Sequence, residues 1–168
     1  MKKAPYAVVL VMLALFGLAA CGRKEITALD RKKAAAAASE GQFAVNLRDY
    51  TRAEGLYAQA TELCPDAPEY WVALGVARKH LNNTSGAKKA YGEAVEAYDA
   101  AYKKDKTQPE VLLQKAYVLA LLGKIDDARS TLEKAQKNHP DNRNIRMFIE
   151  SKQLDRLLNA PSFKELAI

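Results

Sequence analysis

Apolar side chains recur at steps of three and four residues through most of the chain. Two runs show the step most clearly: Tyr50, Ala53, Leu56, Tyr57, Ala60 and Leu63, and further along Ile125, Ala128, Leu132 and Ala135. Such steps place the apolar side chains on one face of an α-helix, whereas a half-buried strand would alternate apolar and polar residues. Because no segment of the sequence alternates in that way, the pattern predicts an all-α protein.

The periodic segments are separated by turn-forming residues such as Asn82-Asn83 and Gly123-Lys124. They predict helices over residues 27–45, 50–64, 68–81, 85–105, 109–122, 125–138 and 142–158. The last of these segments is strongly apolar on one side, so we expect it to cap the end of a helical stack.

The N-terminus shows a different pattern. Lys2 and Lys3 precede an apolar run from Ala7 to Ala20 that closes with small residues. This is the pattern of a secretory signal peptide, and the run is shorter than the about 20 apolar residues that a membrane-spanning helix needs. The sequence therefore predicts an exported protein from which residues 1–20 are removed.

The end of that run, Leu18-Ala19-Ala20-Cys21, resembles the lipobox of bacterial lipoproteins. The resemblance implies that Cys21 receives a covalent lipid and that residues 21–30 form a lipidated tether. Two acyl chains are enough for a stable membrane anchor. Gly22 differs from the aspartate that retains enteric lipoproteins in the inner membrane, so the resemblance implies the outer membrane, facing the periplasm. The alternative is an ordinary secretory signal that ends in a chance cysteine.

The helical pattern also repeats, because Ala53 and Ala87 are 34 residues apart in equivalent positions. Three sets of residues share this pattern: Gly41, Ala53, Tyr57, Ala60 and Pro65; then Trp71, Leu74, Gly75, Ala87 and Tyr91; then Gly123, Ala128, Leu132, Ala135 and Pro140. Their types and spacing resemble the tetratricopeptide repeat, a helical hairpin with a 34-residue period. Some positions depart from it: Ala37 stands in place of tryptophan, Arg78 in place of tyrosine, and Lys115-Ala116 in place of Leu-Gly.

This resemblance implies an all-α, right-handed superhelical solenoid of about three helix-turn-helix repeats with a C-terminal capping helix. The repeats would occupy residues 31–160 and leave residues 161–168 as a C-terminal tail. Neighbouring hairpins in such a solenoid must stack, because each leaves an apolar face uncovered.

One interval is longer than the period. Ala87 and Ala128 are 41 residues apart, seven more than expected, and seven residues are almost two helical turns. One interpretation is an extended second helix in the second repeat, projecting about 10 Å and offering Tyr98 and Tyr102 as an interaction ledge. The alternative is a longer loop at residues 103–108, with these tyrosines packed internally.

The first helix of each repeat lines the concave face of related solenoids, and the resemblance places the partner-binding residues there. By position they are Gln42, Asn46, Val72, Val76, Lys79, Leu113, Tyr117 and Leu121. A largely apolar groove with a polar rim suits an extended segment or a helix. The alternative is that the C-terminal helix, or a second copy of the chain, covers Leu113, Tyr117 and Leu121.

Charge and composition narrow the function. The net charge is +6, but export argues against nucleic acid as the partner. His80 and His139 fall in different repeats, and no catalytic, phosphate-binding or metal-binding motif accompanies them. We therefore expect no enzyme, no metal and no cofactor beyond the lipid on Cys21.

The expected function is a membrane-anchored interaction module that serves as an adaptor or assembly scaffold in the bacterial envelope. Its partner would be another envelope protein or peptide. The alternative is a structural lipoprotein that assembles with itself as a homo-oligomer.

Overall fold

The computed structural model describes residues 25–168, and within this range the chain forms α-helices and no strand. The helices are α1 (Ala28–Asn46), α2 (Tyr50–Leu63), α3 (Pro68–His80), α4 (Thr84–Lys104), α5 (Glu110–Leu121), α6 (Ile125–Asn138), α7 (Arg143–Glu150), α8 (Gln153–Asn159) and α9 (Pro161–Leu166). The prediction of an all-α fold is confirmed. The predicted signal peptide and Cys21 lie outside the described residues and stay predictions.

Each helix packs mainly against its neighbours in sequence. The most extensive contacts join α1 to α2, α3 to α4, and α5 to α6, while α2–α3 and α4–α5 contacts join one pair to the next. A chain of helical pairs in which each pair contacts only its neighbours is a solenoid. The predicted three repeats are therefore present as three stacked helical hairpins.

Short polar side chains begin several of these helices. Thr27 and Asp30 form a reciprocal capping box at α1, Asp49 accepts a hydrogen bond from the Arg52 amide at α2, and Asn83 accepts one from the Gly86 amide at α4. These caps satisfy amide groups that have no partner inside the helix. Six predicted helices consequently agree with α1–α6 to within one residue at each end. Helix α1 begins at Ala28, within the range predicted as a tether, and the tether itself stays a prediction.

The turn inside each hairpin uses one residue with left-handed backbone geometry. Arg48 and Asn82 have a φ of 59°, and Gly123 has a φ of 72°. The conformation reverses the chain direction within two or three residues of the helix end. The second hairpin repeats the first at the 34-residue period, and the third comes 41 residues later because α4 is longer.

The C-terminal part differs from the prediction. The expected single helix over residues 142–158 is broken after Glu150, where Lys152 takes a left-handed φ of 51°. The break turns the chain, so that Leu154 on α8 and Phe163 on α9 are both buried in the main apolar cluster. The prediction of a tail at residues 161–168 is wrong, since this segment forms α9 and packs on the repeats.

Each hairpin is held together where a very small residue on its first helix faces a large residue on its second. A Cβ atom added at Gly41 would lie 3.0 Å from Tyr57 Cε1, and one added at Gly75 would overlap the Tyr91 ring. The third repeat has Ala116 and Leu132 at these places, both in one apolar cluster. The smaller leucine leaves space for the alanine methyl group, which explains why this departure from the pattern keeps the fold.

Candidate functional site

The predicted partner-binding residues lie on the first helices of the three hairpins, and we call this surface the first-helix face. It comprises Gln42 and Asn46 on α1, Val72, Val76 and Lys79 on α3, and Leu113 and Tyr117 on α5. The two α1 residues are exposed, while those on α3 and α5 are half-buried. The face therefore has an open part on α1 and a covered part on α3 and α5.

The covered part is occupied by residues 160–168 of the same chain, which we call the docked segment. Its Phe163 is only 5% exposed and meets the Tyr117 ring edge-on, with ring centroids 5.7 Å apart and planes at 70°. Val72, Val76 and Leu113 pack against the same apolar cluster that contains Phe163. Of the two arrangements left open by the sequence, the structure therefore has the C-terminal segment covering this part of the face.

Leu121 does not belong to the accessible surface. Its side chain is fully buried in the apolar cluster that also contains Phe163 of the docked segment, and its contact with a partner stays a prediction. Its carbonyl oxygen accepts a hydrogen bond from the Ile168 amide at 2.8 Å. The helical spacing of Tyr117 and Leu121 correctly predicts that both lie on the same helix. It does not show that the Leu121 side chain is buried.

A second hydrogen bond to the docked segment comes from α4, the second helix of the second hairpin. The Tyr91 hydroxyl on α4 donates to the Leu166 carbonyl at 3.2 Å. Gly75 on α3 makes this reach possible, because any side chain there would collide with the Tyr91 ring. Burial of the phenol raises the pKa of Tyr91 above its ordinary value. The sequence marked Gly75 and Tyr91 as fold residues only.

The polar rim of the covered part includes His80, which the position-by-position reading of the repeats also places on this face. His80 ends α3, and its Nδ1 lies 3.5 Å from Glu165 Oε1 on α9. Its ring stacks on Tyr50, with centroids 4.1 Å apart and planes at 12°. The stacking fixes the imidazole at the edge of the face, where it can pair with a carboxylate.

The open part of the face continues into exposed apolar side chains on α1. Phe43 is 58% exposed and Leu47 is 62% exposed, one helical turn apart. They lie next in sequence to Gln42 and Asn46, and the Gln42 side-chain amide donates to Asn46 Oδ1 at 3.3 Å. No residue of the described chain covers this stripe, which is available to a partner.

The two tyrosines of the predicted interaction ledge on α4 are not exposed as that interpretation expected. Helix α4 does extend to Lys104, as one interpretation proposed. However, Tyr98 is only 8% exposed, and the half-buried Tyr102 hydroxyl lies 2.7 Å from His139 Nε2. The third hairpin packs against the extra turns, so both tyrosines serve the core. Burial raises the pKa of Tyr98 to about 12.

A further concave surface lies at the other end of the first two hairpins. It is a cavity of about 400 Å³ with an apolar floor that includes Leu63 and Ala97. Its acidic lining residues are Glu25, Asp30, Glu62, Asp66, Glu93 and Glu96. Asp66 pairs with Arg31 at 2.7 Å. This acidic surface contrasts with the net positive charge of the chain.

Residues 25–168 contain no group of three His, Cys, Asp or Glu side chains that could hold a metal ion. Both histidines have defined neighbours, His80 against Tyr50 and His139 against Tyr102. The remaining cysteine, Cys64, is buried, and burial raises the pKa of its thiol. Over the same residues, no helix combines the length and apolar character needed to cross a bilayer.

Comparison with known families agrees with this architecture. Two family models, both described as Tetratricopeptide repeat, match residues 39–109 and 87–151. Together they extend from the second half of α1 to the break after α7, and so reach all three hairpins. Among curated proteins, none matches the chain.

Proposed function

The chain carries tetratricopeptide repeats, and from this premise we propose that it is a protein–protein interaction module held at the bacterial envelope by a lipid on Cys21. It binds a helix or extended segment of another envelope protein on the first-helix face and acts as an adaptor or assembly scaffold. Repeat proteins of this class generally bind other proteins and are generally not catalytic.

The observation that carries the proposal is the docked segment itself. A short helix with one buried aromatic ring already lies across α3 and α5 and makes hydrogen bonds to Tyr91 and Leu121. Binding of an amphipathic helix in an apolar groove is a common mode of peptide recognition. A surface that binds such a helix within the chain has the shape and chemistry to bind one from a partner.

The anchor proposal rests on the lipobox pattern at Cys21 and on the short distance from there to the repeats. Helix α1 begins at Ala28, seven residues after Cys21. Seven extended residues span at most ~25 Å, at about 3.3–3.6 Å per residue. A lipid on Cys21 would therefore keep the repeats close to the bilayer surface, within reach of other envelope proteins.

Partner capture tests the interaction proposal. The lipidated protein is cross-linked in intact cells and purified, first as wild type and then with Lys79→Glu on the first-helix face. Lys88→Glu, an exposed residue of α4, carries the same charge change on a second helix and is the matched control. We expect one recurrent partner that is lost with Lys79→Glu and kept with Lys88→Glu. Equal capture by both variants would contradict a role for this face.

The anchor is tested separately with Cys21→Ser. We expect the wild-type protein to incorporate labelled palmitate and to sediment with the membrane fraction, because acyl chains hold it there. The variant should lose both properties while keeping its helical circular dichroism. A wild-type protein that is released from membranes by salt alone would contradict lipid anchoring.

Self-association is a second candidate function, favoured by the exposed stripe of Phe43 and Leu47 on the terminal helix α1. A second copy could cover this stripe, since terminal repeats of solenoids otherwise need a polar outer face. Sedimentation of the mature protein with and without Leu47→Glu distinguishes the candidates. A concentration-dependent dimer that Leu47→Glu dissociates would favour self-assembly, and a monomer at all concentrations would exclude it.

A further inference from the structure

We propose that the covered part of the first-helix face recognises a short helix in a partner protein, and that the docked segment holds this site until the partner displaces it. The recognised helix carries an aromatic residue and, three positions later, a leucine preceded by an acidic residue. This inference deepens the proposed function and rests on it.

The recognition pattern follows from what each residue of the docked segment contacts. Phe163 and Leu166 are three positions apart and lie on the same side of α9. Phe163 packs against Tyr117, and the Leu166 carbonyl accepts a hydrogen bond from the Tyr91 hydroxyl. The site therefore selects an aromatic ring, an aliphatic side chain and a free backbone carbonyl at the end of a short helix.

A polar contact adds a third element of recognition. Glu165 Oε1 lies 3.5 Å from His80 Nδ1, and the Glu165 side chain remains 65% exposed. Lys164 on the same helix is exposed, and the described residues make no ion pair with it. In a partner helix, an acidic residue directly before the leucine would lie next to His80, as Glu165 does. The preceding position, which Lys164 occupies here, would be exposed to solvent.

Helix α9 of the docked segment is short and only partly buried against the face, since Leu166 is half-buried. Helix α9 has six residues, and isolated helices of that length are not stable in water. Phe163 is its only fully buried side chain, while Pro161, Ser162 and Lys164 are exposed. Segments with few buried apolar contacts open locally at a lower free energy than the core. The segment can therefore leave the face while the three hairpins stay folded.

The attachment of the segment explains why the displacing helix comes from a different protein. Residues 160–168 follow α8 directly, so they reach the site as an intramolecular ligand at a millimolar effective concentration. The same segment of a second copy has no better contacts and cannot compete at ordinary concentrations. A partner must present a helix that binds more tightly or that adds contacts on the open part at Phe43 and Leu47.

A peptide titration on the full mature chain tests the inference. The probe is a fluorescent peptide with the sequence of residues 159–168, and the test chain carries Phe163→Ala with Leu166→Ala to empty the site. The apparent affinity of a site that is mostly closed is reduced by the open fraction. We therefore expect the test chain to bind the peptide at least about tenfold more tightly than wild type. A chain with Lys164→Ala should behave like wild type.

Variant peptides test the pattern itself. We expect Glu165→Lys in the peptide to weaken binding severalfold, and Lys164→Glu to leave it unchanged. A test chain that remains folded and binds no peptide would overturn the inference. So would a test chain that no longer unfolds cooperatively, because the segment would then be part of the fold. Wild-type dimers that Phe163→Ala with Leu166→Ala abolish would assign the site to a second copy and also overturn it.

Hydrogen exchange of the wild-type chain gives an independent result that needs no variant. The Ile168 amide donates a hydrogen bond to the Leu121 carbonyl, and the Ala167 amide donates one to the Phe163 carbonyl. We expect both amides to exchange through a local opening while α3 and α5 stay protected. Exchange of all of them through one global opening would contradict a displaceable segment. Peptide binding without any partner captured in cells would contradict the proposed function alone.

Discussion

Gly75 and Tyr91 show how one residue pair serves both the fold and the face. The missing side chain at Gly75 lets the Tyr91 ring lie against α3, and this position brings the Tyr91 hydroxyl to the Leu166 carbonyl. The repeat pattern indicates that a small residue belongs at Gly75 and an aromatic one at Tyr91. It does not indicate that the hydroxyl crosses the hairpin, because that contact joins residues 75 positions apart.

At this scale we predict opposite effects for two glycine substitutions. Gly75→Ala should lower the free energy of unfolding by about 1–3 kcal/mol, because its methyl group collides with a packed ring. Gly55→Ala, in the exposed middle of α2 with nothing within 4 Å, should raise it by roughly 0.5–1 kcal/mol. Urea unfolding of both variants measures this difference. Equal effects of the two substitutions would contradict the close contact at Gly75.

Helix α4 is the element that sets the third hairpin apart from the first two. Its extra turns carry Tyr98 into the main apolar cluster and Tyr102 to His139, so the third hairpin packs along its full length. The helical step of three and four residues predicts this length correctly. It cannot predict the burial of the tyrosines, because they pack in clusters with residues of later helices, such as Leu112, Ala135 and Ile145 near Tyr102.

At this scale we predict a loss of stability at alkaline pH. Burial raises the pKa of Tyr91 and Tyr98 above the usual value, in Tyr98 to about 12. The folded state therefore keeps these protons where the unfolded chain loses them. Stability should be constant below the unfolded tyrosine pKa of about 10 and should fall as pH rises towards 12. Urea midpoints at pH 8, 10 and 11.5 test this, and Tyr98→Phe should show a smaller fall. An unchanged midpoint would contradict it.

The break between α7 and α8 shows a limit of predicting helices from the sequence pattern. Apolar residues recur between Ile145 and Leu158, and the sequence predicts one helix there, although the step of five residues from Ile149 to Leu154 departs from the helical period. Lys152 nevertheless adopts a left-handed conformation that glycine usually supplies. Burial of Leu154 and Phe163 against the repeats favours the turn. The interruption of the apolar period between Ile149 and Leu154 marks the place of the break, but the pattern does not show the tertiary contacts that fix the direction of the turn.

The whole molecule is predictable where its contacts are local and unpredictable where they are distant. Repeat number, hairpin order and helix ends follow from caps, turns and a period that occur within a few tens of residues. The docking of residues 160–168 on α3 and α5 depends on contacts between distant segments, and the sequence left covered and open faces as alternatives. The same contacts divide the first-helix face into an open part on α1 and a covered part, and this division governs how a partner can bind.

At this scale we predict that emptying the covered part increases partner capture. The full chain with Phe163→Ala and Leu166→Ala should recover more of the partner from cells than wild type, because its site is no longer closed. Lys164→Ala on the same helix is the control and should recover the wild-type amount. Reduced capture by the double variant, with the fold intact, would contradict displacement of the segment.

Site-specific photo-cross-linking from Asn46 in intact cells is the decisive measurement for an interaction function of the first-helix face. Asn46 is exposed on its open part, and Gln59, exposed on the second helix α2, is the matched control position. We predict one adduct of defined mass with another envelope protein from position 46 and none from position 59. No adduct from position 46, or the same adducts from both positions, would contradict binding on this face.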